Sequence, residues 1–302
     1  MKNNIELSPK FGQILGINVI STTTQEVLTA IKQKVSDNVQ FSIVTPNPEI
    51  VLMAQKNKEL KSALNSATFP IPDGIGLAQA VKYESLGAPK NIILRAPVVF
   101  IQGLVVGVAT FVNKKWLTDS LNIIPGRVVF MELIKLANDN KWRIFFFGGE
   151  SDEAELSRKN LESRYKNIKI QTNKGPIVNK SGEPVTEVDR KVQIDVISQI
   201  NKFKPQLLFV AFNNPKQEIW IHKQSLPLRG KNFPQLNIGG AMAVGGTFRY
   251  IAGLSKLPPK WMEELGLEWV WRLITEPYRI KRIFNAWPIF PLKVFWYKLT
   301  NI

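Results

Sequence analysis

Cysteine is missing from all 302 residues, and histidine occurs once, as His222. Disulfides, thiolate nucleophiles and cysteine-ligated zinc are therefore excluded, and no histidine cluster exists to hold a metal. A single histidine also argues against a Ser-His-Asp hydrolase. No Asp-x-Asp pair of the kind that often holds a divalent cation beside a nucleotide occurs. Acidic residues are scarce overall, 24 against 40 lysines and arginines, which leaves a formal charge of +16. Such an excess calls for an anionic partner: nucleic acid, an anionic membrane surface or a phosphorylated substrate. The opening Met1-Lys-Asn-Asn-Ile-Glu6 lacks the apolar stretch of a signal peptide, so the chain is expected to start in the cytoplasm. Internal repeats and low-complexity segments are absent. What chemistry remains must draw on carboxylates, amides and arginines.

A hydrophobic fraction of 44% is ordinary and predicts a packed core. The apolar runs alternate with helical patterns. Phe11 to Ile20 reads as a short strand, and Thr23 with Glu26 has capping-box spacing for a helix to about Lys34. Phe41 to Thr45 reads as a strand broken by Pro46. Asn47-Pro-Glu49 then opens a helix in which Ile50, Val51, Ala54 and Leu60 share a face. Ala67 to Ile71 is the next strand. Further on come a helix over Phe130 to Ala137, an apolar strand Trp142 to Phe147, and a helix from about Glu153. A strand Ile168 to Gln171, a helix Val188 to Asn201 and a buried strand Gln206 to Phe212 follow, then a helix carrying Ile219, Trp220 and Ile221. Leu236-Asn-Ile238 precedes a glycine-rich segment, Gly239 to Phe248. This alternation predicts an α/β fold: a Rossmann-like parallel sheet flanked by helices, with ligands met at the carboxyl ends of the strands.

Within that frame the stretch Thr68-Phe-Pro-Ile-Pro-Asp-Gly-Ile-Gly-Leu77 stands out. Pro70 and Pro72 keep a helix from running through Asp73. Gly74 and Gly76 allow positive φ and leave room for close approach of a ligand. Asp73 reads either as a helix N-cap or as a carboxylate facing the strand-end crevice, where Thr45 and Asn47 would join it. The Gly148-Gly149 pair after a buried strand suits a phosphate or ribose, though such turns more often merely connect elements.

Two regions depart from a plain soluble domain. Ala96 to Val112 is apolar except for Gln102 and Thr110, and is flanked by Arg95 and Lys114-Lys115. It is read as a shallow membrane-inserted helix or hairpin, with a buried core helix as the alternative. From Pro277 onward no acid appears, while Arg279, Lys281, Arg282, Lys293 and Lys298 alternate with aliphatic and aromatic residues. That composition suits a basic amphipathic C-terminal helical appendage on an anionic leaflet. An RNA-binding tail or a helix docked on the core would share the pattern, but no RNA motif accompanies it and the bulky aliphatic content favours the membrane. The expected division is a core of residues 1–255, with a hydrophobic insert at about 83–125, and an appendage of residues 256–302.

Several motifs, taken in order, resemble one family, the WecG/TagA/CpsF glycosyltransferases (glycosyltransferase family 26). They are Thr45-Pro-Asn-Pro-Glu49, Pro72-Asp-Gly-Ile-Gly76, Phe147-Gly-Gly149, Pro215-Lys-Gln-Glu218, Val244-Gly-Gly-Thr-Phe248, Gly266-Leu-Glu-Trp-Val-Trp-Arg272, Glu276-Pro-Tyr-Arg279 and Arg282. The resemblance implies an inverting enzyme that moves an N-acetylmannosamine-type sugar from a UDP donor. Its acceptor would be N-acetylglucosamine on a polyprenyl diphosphate at the cytoplasmic face of the plasma membrane. Nucleic acid would have no part, no metal or other cofactor is expected, and a homo-oligomer is neither required nor excluded.

Carried over by position, the resemblance implies Asp73 as general base for the acceptor hydroxyl. Thr45, Asn47 and Gln217 would contact sugar or acceptor. Arg272, Arg279 and Arg282 would meet the leaving diphosphate. Gly148, Gly149, Gly245 and Gly246 would admit the nucleotide. Some positions differ from the family pattern. Asn213-Asn214 occupy a turn that usually contains glycine, and asparagine can still adopt the left-handed conformation it needs. Arg249 stands where an acid is usual, and Leu257-Pro-Pro259 where Arg-Ala-Pro is. Ile123 replaces an arginine and Val128 an acid, with Arg127 the nearest substitute cation. A membrane-bound assembly scaffold that has lost catalysis is the competing reading.

Overall fold

The computed structural model describes residues 10–225, 236–259, 261–262, 268–277, 280 and 284–301. Six strands form one all-parallel sheet: β3 (Phe41–Val44), β4 (Phe69–Pro70), β5 (Arg143–Gly148), β6 (Lys169–Asn173), β7 (Leu207–Ala211) and β8 (Gly240–Ala243). Their spatial order is β4-β3-β8-β7-β5-β6. The predicted α/β sheet is thus present, with two corrections.

The first concerns the N-terminal strand. It is a hairpin, β1 (Lys10–Ile14) and β2 (Ile17–Ser21), antiparallel and separate from the main sheet. Leu15 and Gly16 both take positive φ, +50° and +76°, so a two-residue turn reverses the chain where a single strand was expected. The second is β8, a central strand inside what read as a glycine-rich loop. Its small residues answer a packing need, since a Cβ on Gly240 would fall 2.3 Å from the Phe41 ring. Strand propensity could not reveal a strand written in Gly-Ala-Met-Ala.

Side chains alternate across the sheet as pleating requires. Ile144, Phe146 and Phe209 join a cluster with α1 (Thr24–Ser36), α7 (Gly126–Asp139) and α8 (Glu153–Arg164). Phe145, Phe147, Leu208 and Val210 face the opposite cluster with α9 (Glu187–Phe203) and α10 (Lys216–Ser225). The α1 capping box forms as expected: Thr23 Oγ1 accepts from Glu26 N at 3.2 Å, and Glu26 Oε2 accepts from Thr23 N at 2.7 Å. The helix expected after Asn47 is two, α2 (Pro48–Ala54) and α3 (Lys58–Asn65), because Asn57 caps a fresh start by accepting from Leu60 N at 3.0 Å. Its four predicted core residues are nonetheless all buried.

A third cluster gathers α2, α3, α4 (Ile75–Ser85), α5 (Ile92–Val112) and α6 (Lys114–Thr118) with the last helix of the chain. The hydrophobic insert is one continuous 21-residue helix, neither a hairpin nor a buried core helix. Pro97 sits within it, and most of its large apolar side chains lie exposed. It is the one helix among the described residues long and apolar enough to cross a membrane. In the C-terminal region α11 (Thr247–Ile251), α12 (Glu268–Thr275), a kinked segment Asn285–Ile289 with extended backbone at Trp287, and α13 (Phe290–Thr300) are described. Phe290 and Val294 of α13 are buried in the cluster that holds α4 and α5, so the predicted appendage shares its core with the insert.

Candidate active site

Where β3 and β8 lie side by side, the chain leaves the sheet toward opposite faces. The segment after β3 enters α2 in the third cluster, and the segment after β8 enters α11, whose Phe248 belongs to the first. Such a divergence opens a crevice at the carboxyl edge of a doubly wound sheet. Here the crevice is a cleft of about 880 Å³, open solvent included, lined among others by Thr45, Asn47, Asp73, Gly126, Gln217, Gly245 and Gly246. Five separate stretches of sequence therefore meet in it, as the strand-end reading required for Thr45, Asn47 and Asp73.

Asp73 owes its position to a backbone ladder that outlasts the strands. Ile71 N donates to Val44 O at 2.9 Å and Asp73 N to Pro46 O at 2.7 Å, so the β3–β4 pairing continues three residues past β4. The loop before α7 runs along the other side, where Ile124 N donates to Pro72 O at 3.1 Å. Gly126 N, in the first turn of α7, then donates to Asp73 Oδ2 at 3.3 Å. The cap position of α4 belongs to Gly74, at φ +96° and with no side-chain cap. The N-cap position of α4 is thus the glycine's, and the carboxylate lies at the amino end of a different helix, α7. Gly76 also has a structural reason other than ligand approach: a Cβ there would sit 2.8 Å from Pro48 Cγ, so its bare backbone makes room for α2.

Around Asp73 the other predicted residues divide. Thr45 packs on Gly126, where an added Cβ would come within 3.1 Å of Thr45 Oγ1. Asn47 uses its carboxamide oxygen to cap α2, accepting from Ile50 N at 3.0 Å, which leaves its NH2 as the group that can donate to a ligand. Gln217 is only 2% exposed. Its amide nitrogen donates to Asn214 Oδ1 at 2.9 Å and Glu218 Oε1 at 2.8 Å, and its oxygen accepts from Gly245 N at 3.0 Å. That side chain ties the turn after β7 to the turn after β8. Its two N–H groups are both spent within the protein, so it shapes the cleft wall by holding Gly245 at φ +52°. Asn213 takes φ +61°, the left-handed conformation that the missing glycine would have supplied.

Gly148 and Gly149 do not line the cleft. A Cβ on Gly148 would meet the Ala211 carbonyl at 2.6 Å, and Gly149 N donates to that same oxygen at 2.9 Å. Close approach of β5 to β7 accounts for this pair. Arg249 also points away from the cleft, pairing at 3.7 Å with Glu153, whose carboxyl burial pushes above the usual range. The departure at that position is thus a charge partner for α8. Arg272 lies on α12, but its side chain falls outside the described residues, as do Arg279 and Arg282 entirely. Lining residues without an assigned role in the sequence reading are Tyr250, Asn213, Asn214 and Gly126, together with Arg127, the proposed substitute cation. Tyr250 was legible in principle, four residues after Gly246 on a one-turn helix. Among the described residues no three histidine or carboxylate side chains gather as a metal-binding group.

A sequence model described as the glycosyl transferase WecG/TagA/CpsF family matches residues 12–93 and 90–302. The chain is 31% identical over 255 residues to the N-acetylglucosaminyldiphosphoundecaprenol N-acetyl-beta-D-mannosaminyltransferase of Bacillus subtilis (strain 168), covering 84% of this chain and 79% of that relative. Proteins of the same name from Staphylococcus aureus strains MRSA252 and NCTC 8325 are 27% and 28% identical over 284 residues, or 93% of this chain and 91% of each relative.

Proposed function

Since the chain belongs to the WecG/TagA/CpsF family of glycosyltransferases, we propose that it transfers N-acetylmannosamine or a close analogue from a UDP donor to N-acetylglucosamine on a polyprenyl diphosphate. The observation that carries this reading is Asp73, a carboxylate at the head of a strand-end cleft with Gly126 N on its Oδ2. In the proposed step the acceptor hydroxyl oxygen attacks the sugar's anomeric carbon as its proton passes to Asp73. The bond from that carbon to the diphosphate breaks, UDP departs with the electron pair, and the anomeric configuration inverts. A base of this kind contributes about 10²–10⁴-fold when it lies within hydrogen-bond reach of the hydroxyl.

Asn47 Nδ2 and Thr45 Oγ1 orient sugar hydroxyls, and Gln217 keeps the Gly245-Gly246 turn open to the nucleotide. Charge on the departing diphosphate is met by guanidinium groups: Arg127 on the cleft wall, with Arg272, Arg279 and Arg282 as the appendage contribution. Arginine's planar, permanently charged fork matches phosphate oxygens, so the reading needs no metal. A lipid-linked acceptor puts the work at the cytoplasmic face of the membrane, in keeping with the net charge of +16.

The test is incubation with a panel of UDP-sugars and a short-chain polyprenyl-diphosphate-GlcNAc, with products read by mass. The expected outcome is a gain of one N-acetylhexosamine residue that depends on UDP-ManNAc. Absence of product from every UDP-sugar sinks the transferase reading. Asp73→Asn turning over at the wild-type rate sinks the base assignment alone.

A further inference from the structure

Helix α5 is a soluble helix turned inside out. Ten of its large apolar residues are exposed, and Phe100, Ile101, Leu104, Val108 and Phe111 recur at the spacing of one helical face. Phe100 is 58% exposed and Phe111 71%. The opposite face is fixed to the protein through Val99, Val106 and Ala109, all buried in the third cluster. A continuous apolar face of this size on a folded domain marks an interaction surface.

Beside this apolar anchorage the inner face carries a buried polar one. Arg95, 8% exposed, donates from Nε to Lys298 O at 3.0 Å, from one terminal nitrogen to Pro89 O at 2.9 Å, and from the other to Lys298 O at 2.6 Å and Asn301 O at 2.8 Å. It thus satisfies the orphan carbonyls at the end of α13. Lys298, 6% exposed, reaches back to Tyr83 O in the last turn of α4 and to Gln102 Oε1 of α5 at 2.6 Å. Its ammonium also stands 4.2 Å above the Tyr83 ring. Each of two helices has its carboxyl end closed by a cation from a neighbour, and the three helices α4, α5 and α13 are clasped together.

We propose that the outer face of α5 is a membrane seat: the helix lies in the plane of an anionic bilayer, still clasped to α4 and α13, and does not cross it. This rests on the lipid-linked acceptor of the reading above and says which surface meets that lipid. Crossing would strip α5 from its partners and carry Arg95 and Gln102 into hydrocarbon with their hydrogen bonds lost. A second copy of the chain as occupant would set basic borders against identical basic borders, because this face is bordered by charge of one sign. Lys90 precedes the helix, Lys114 and Lys115 follow it, and no acid occurs between Ser85 and Thr118. Basic borders around an apolar face match anionic lipid headgroups. The direction of the helix also matters. Tyr83 OH donates to Val99 O at 3.0 Å and Gln79 Nε2 donates to Thr110 Oγ1, so α5 runs antiparallel to α4. Its Phe111 end therefore lies toward the start of α4, beside the turn that carries Asp73. A seat there holds the cleft next to the membrane surface from which a lipid-linked sugar rises.

The absence of cysteine makes the test clean. Full-length wild type should float with phosphatidylcholine vesicles containing 30% phosphatidylglycerol. Leu104→Glu/Val108→Glu should partition at least tenfold more weakly while its far-UV spectrum and thermal midpoint stay unchanged. A single Leu104→Cys carrying an environment-sensitive fluorophore should shift to the blue on these vesicles. Quenchers attached high on the acyl chain should then dim it more than quenchers near the bilayer centre. Wild-type partition by the double variant, stronger quenching from the bilayer centre, or dimerisation through α5 without lipid binding would each overturn the seat. Vesicle binding is read without any sugar, so loss of transfer with partition intact indicts the proposed function alone. Transfer to a soluble acceptor by a wild type that ignores vesicles indicts the seat alone.

Discussion

The cleft and the clasped helices solve opposite problems with the same few residue types. In the cleft, polar groups face a solvent-filled space and are held by backbone: Asp73 by the Pro46 carbonyl and the Gly126 amide, Asn47 by Ile50 N, Gly245 by Gln217. In the helical layer, charges lie inside and apolar side chains outside, with Arg95 and Lys298 buried beneath an exposed row of Phe, Ile and Leu. The first arrangement orients groups for chemistry while costing the fold little. The second makes stability depend on buried cations whose partners are helix-end carbonyls. Changes in the cleft should therefore register in turnover, and changes in the clasp in folding and tail docking.

The sharpest way to break that division is Asp73→Asn. The substitution is isosteric, so Gly126 N keeps an acceptor, and thermal stability should stay within about 0.5 kcal/mol, the usual range for a change away from core and network. Turnover should fall by about 10²–10⁴-fold, with UDP binding retained. A stability loss as large as the activity loss would mean that Asp73 serves the fold first.

Arg95→Met reverses the signature. It strands the Lys298 carbonyl in a buried setting and those of Pro89 and Asn301 in partly buried ones. Each unsatisfied buried acceptor costs about 1–3 kcal/mol, so a total near 2–4 kcal/mol is expected after relaxation. Urea unfolding should report it as a lower midpoint. Transfer to a short-chain soluble acceptor should hold within about threefold, roughly 0.6 kcal/mol of barrier. Collapse of soluble-acceptor turnover with stability intact would dissolve the distinction between the two regions.

Gln217→Leu tests the boundary, because this cleft residue is built like a clasp residue. With three hydrogen bonds gone and Gly245 N unpaired, a loss of about 1–3 kcal/mol is expected. Displacement of the turn after β8 should also slow transfer roughly tenfold, since small misplacements of binding groups are costly. A change in turnover with no change in stability would return Gln217 to direct substrate contact.

How much of this was legible in sequence follows the same line. The parallel sheet, the capping box at Thr23 and the strand-end convergence of Thr45, Asn47 and Asp73 were readable because local chemistry fixes each of them. The β8 strand was not, because a strand chosen for closeness to Phe41 carries glycine and alanine in place of β-branched residues. Gln217 was found by resemblance, but its bond to Gly245, 28 residues away, has no local signal. Gly148 is ambiguous for a related reason: a glycine that lets β5 approach the Ala211 carbonyl looks in sequence like one that admits a phosphate. The apolar run of α5 was plain, whereas the Arg95–Lys298 clasp spans some 200 residues and has no sequence signature.

The smallest effect refines the clasp itself. Burial raises the Glu84 carboxyl to about 7, partly offset by Lys298, and leaves its Oε1 without a hydrogen-bond partner. Burial and the neighbouring Arg95 together lower Lys298 to about 8, against the pull of Glu84. Between about pH 4.5 and 7 the folded chain holds a proton on Glu84 that the unfolded chain has lost, so rising pH removes stability across that window. For Lys298 the sign is opposite: stability falls as pH drops from about 10.5 to 8 and is level below. Both costs are in force between roughly pH 7 and 8, where the clasp is weakest. Glu84→Gln deletes the acid branch, so the thermal midpoint, which in wild type should decline from pH 5 to 7, should lose that component of its slope. It also removes the anion that supports Lys298, which should then shed its proton at lower pH. Parallel curves for the two proteins from pH 5 to 7 would show that Glu84 is solvated as well in the folded chain as in the unfolded one.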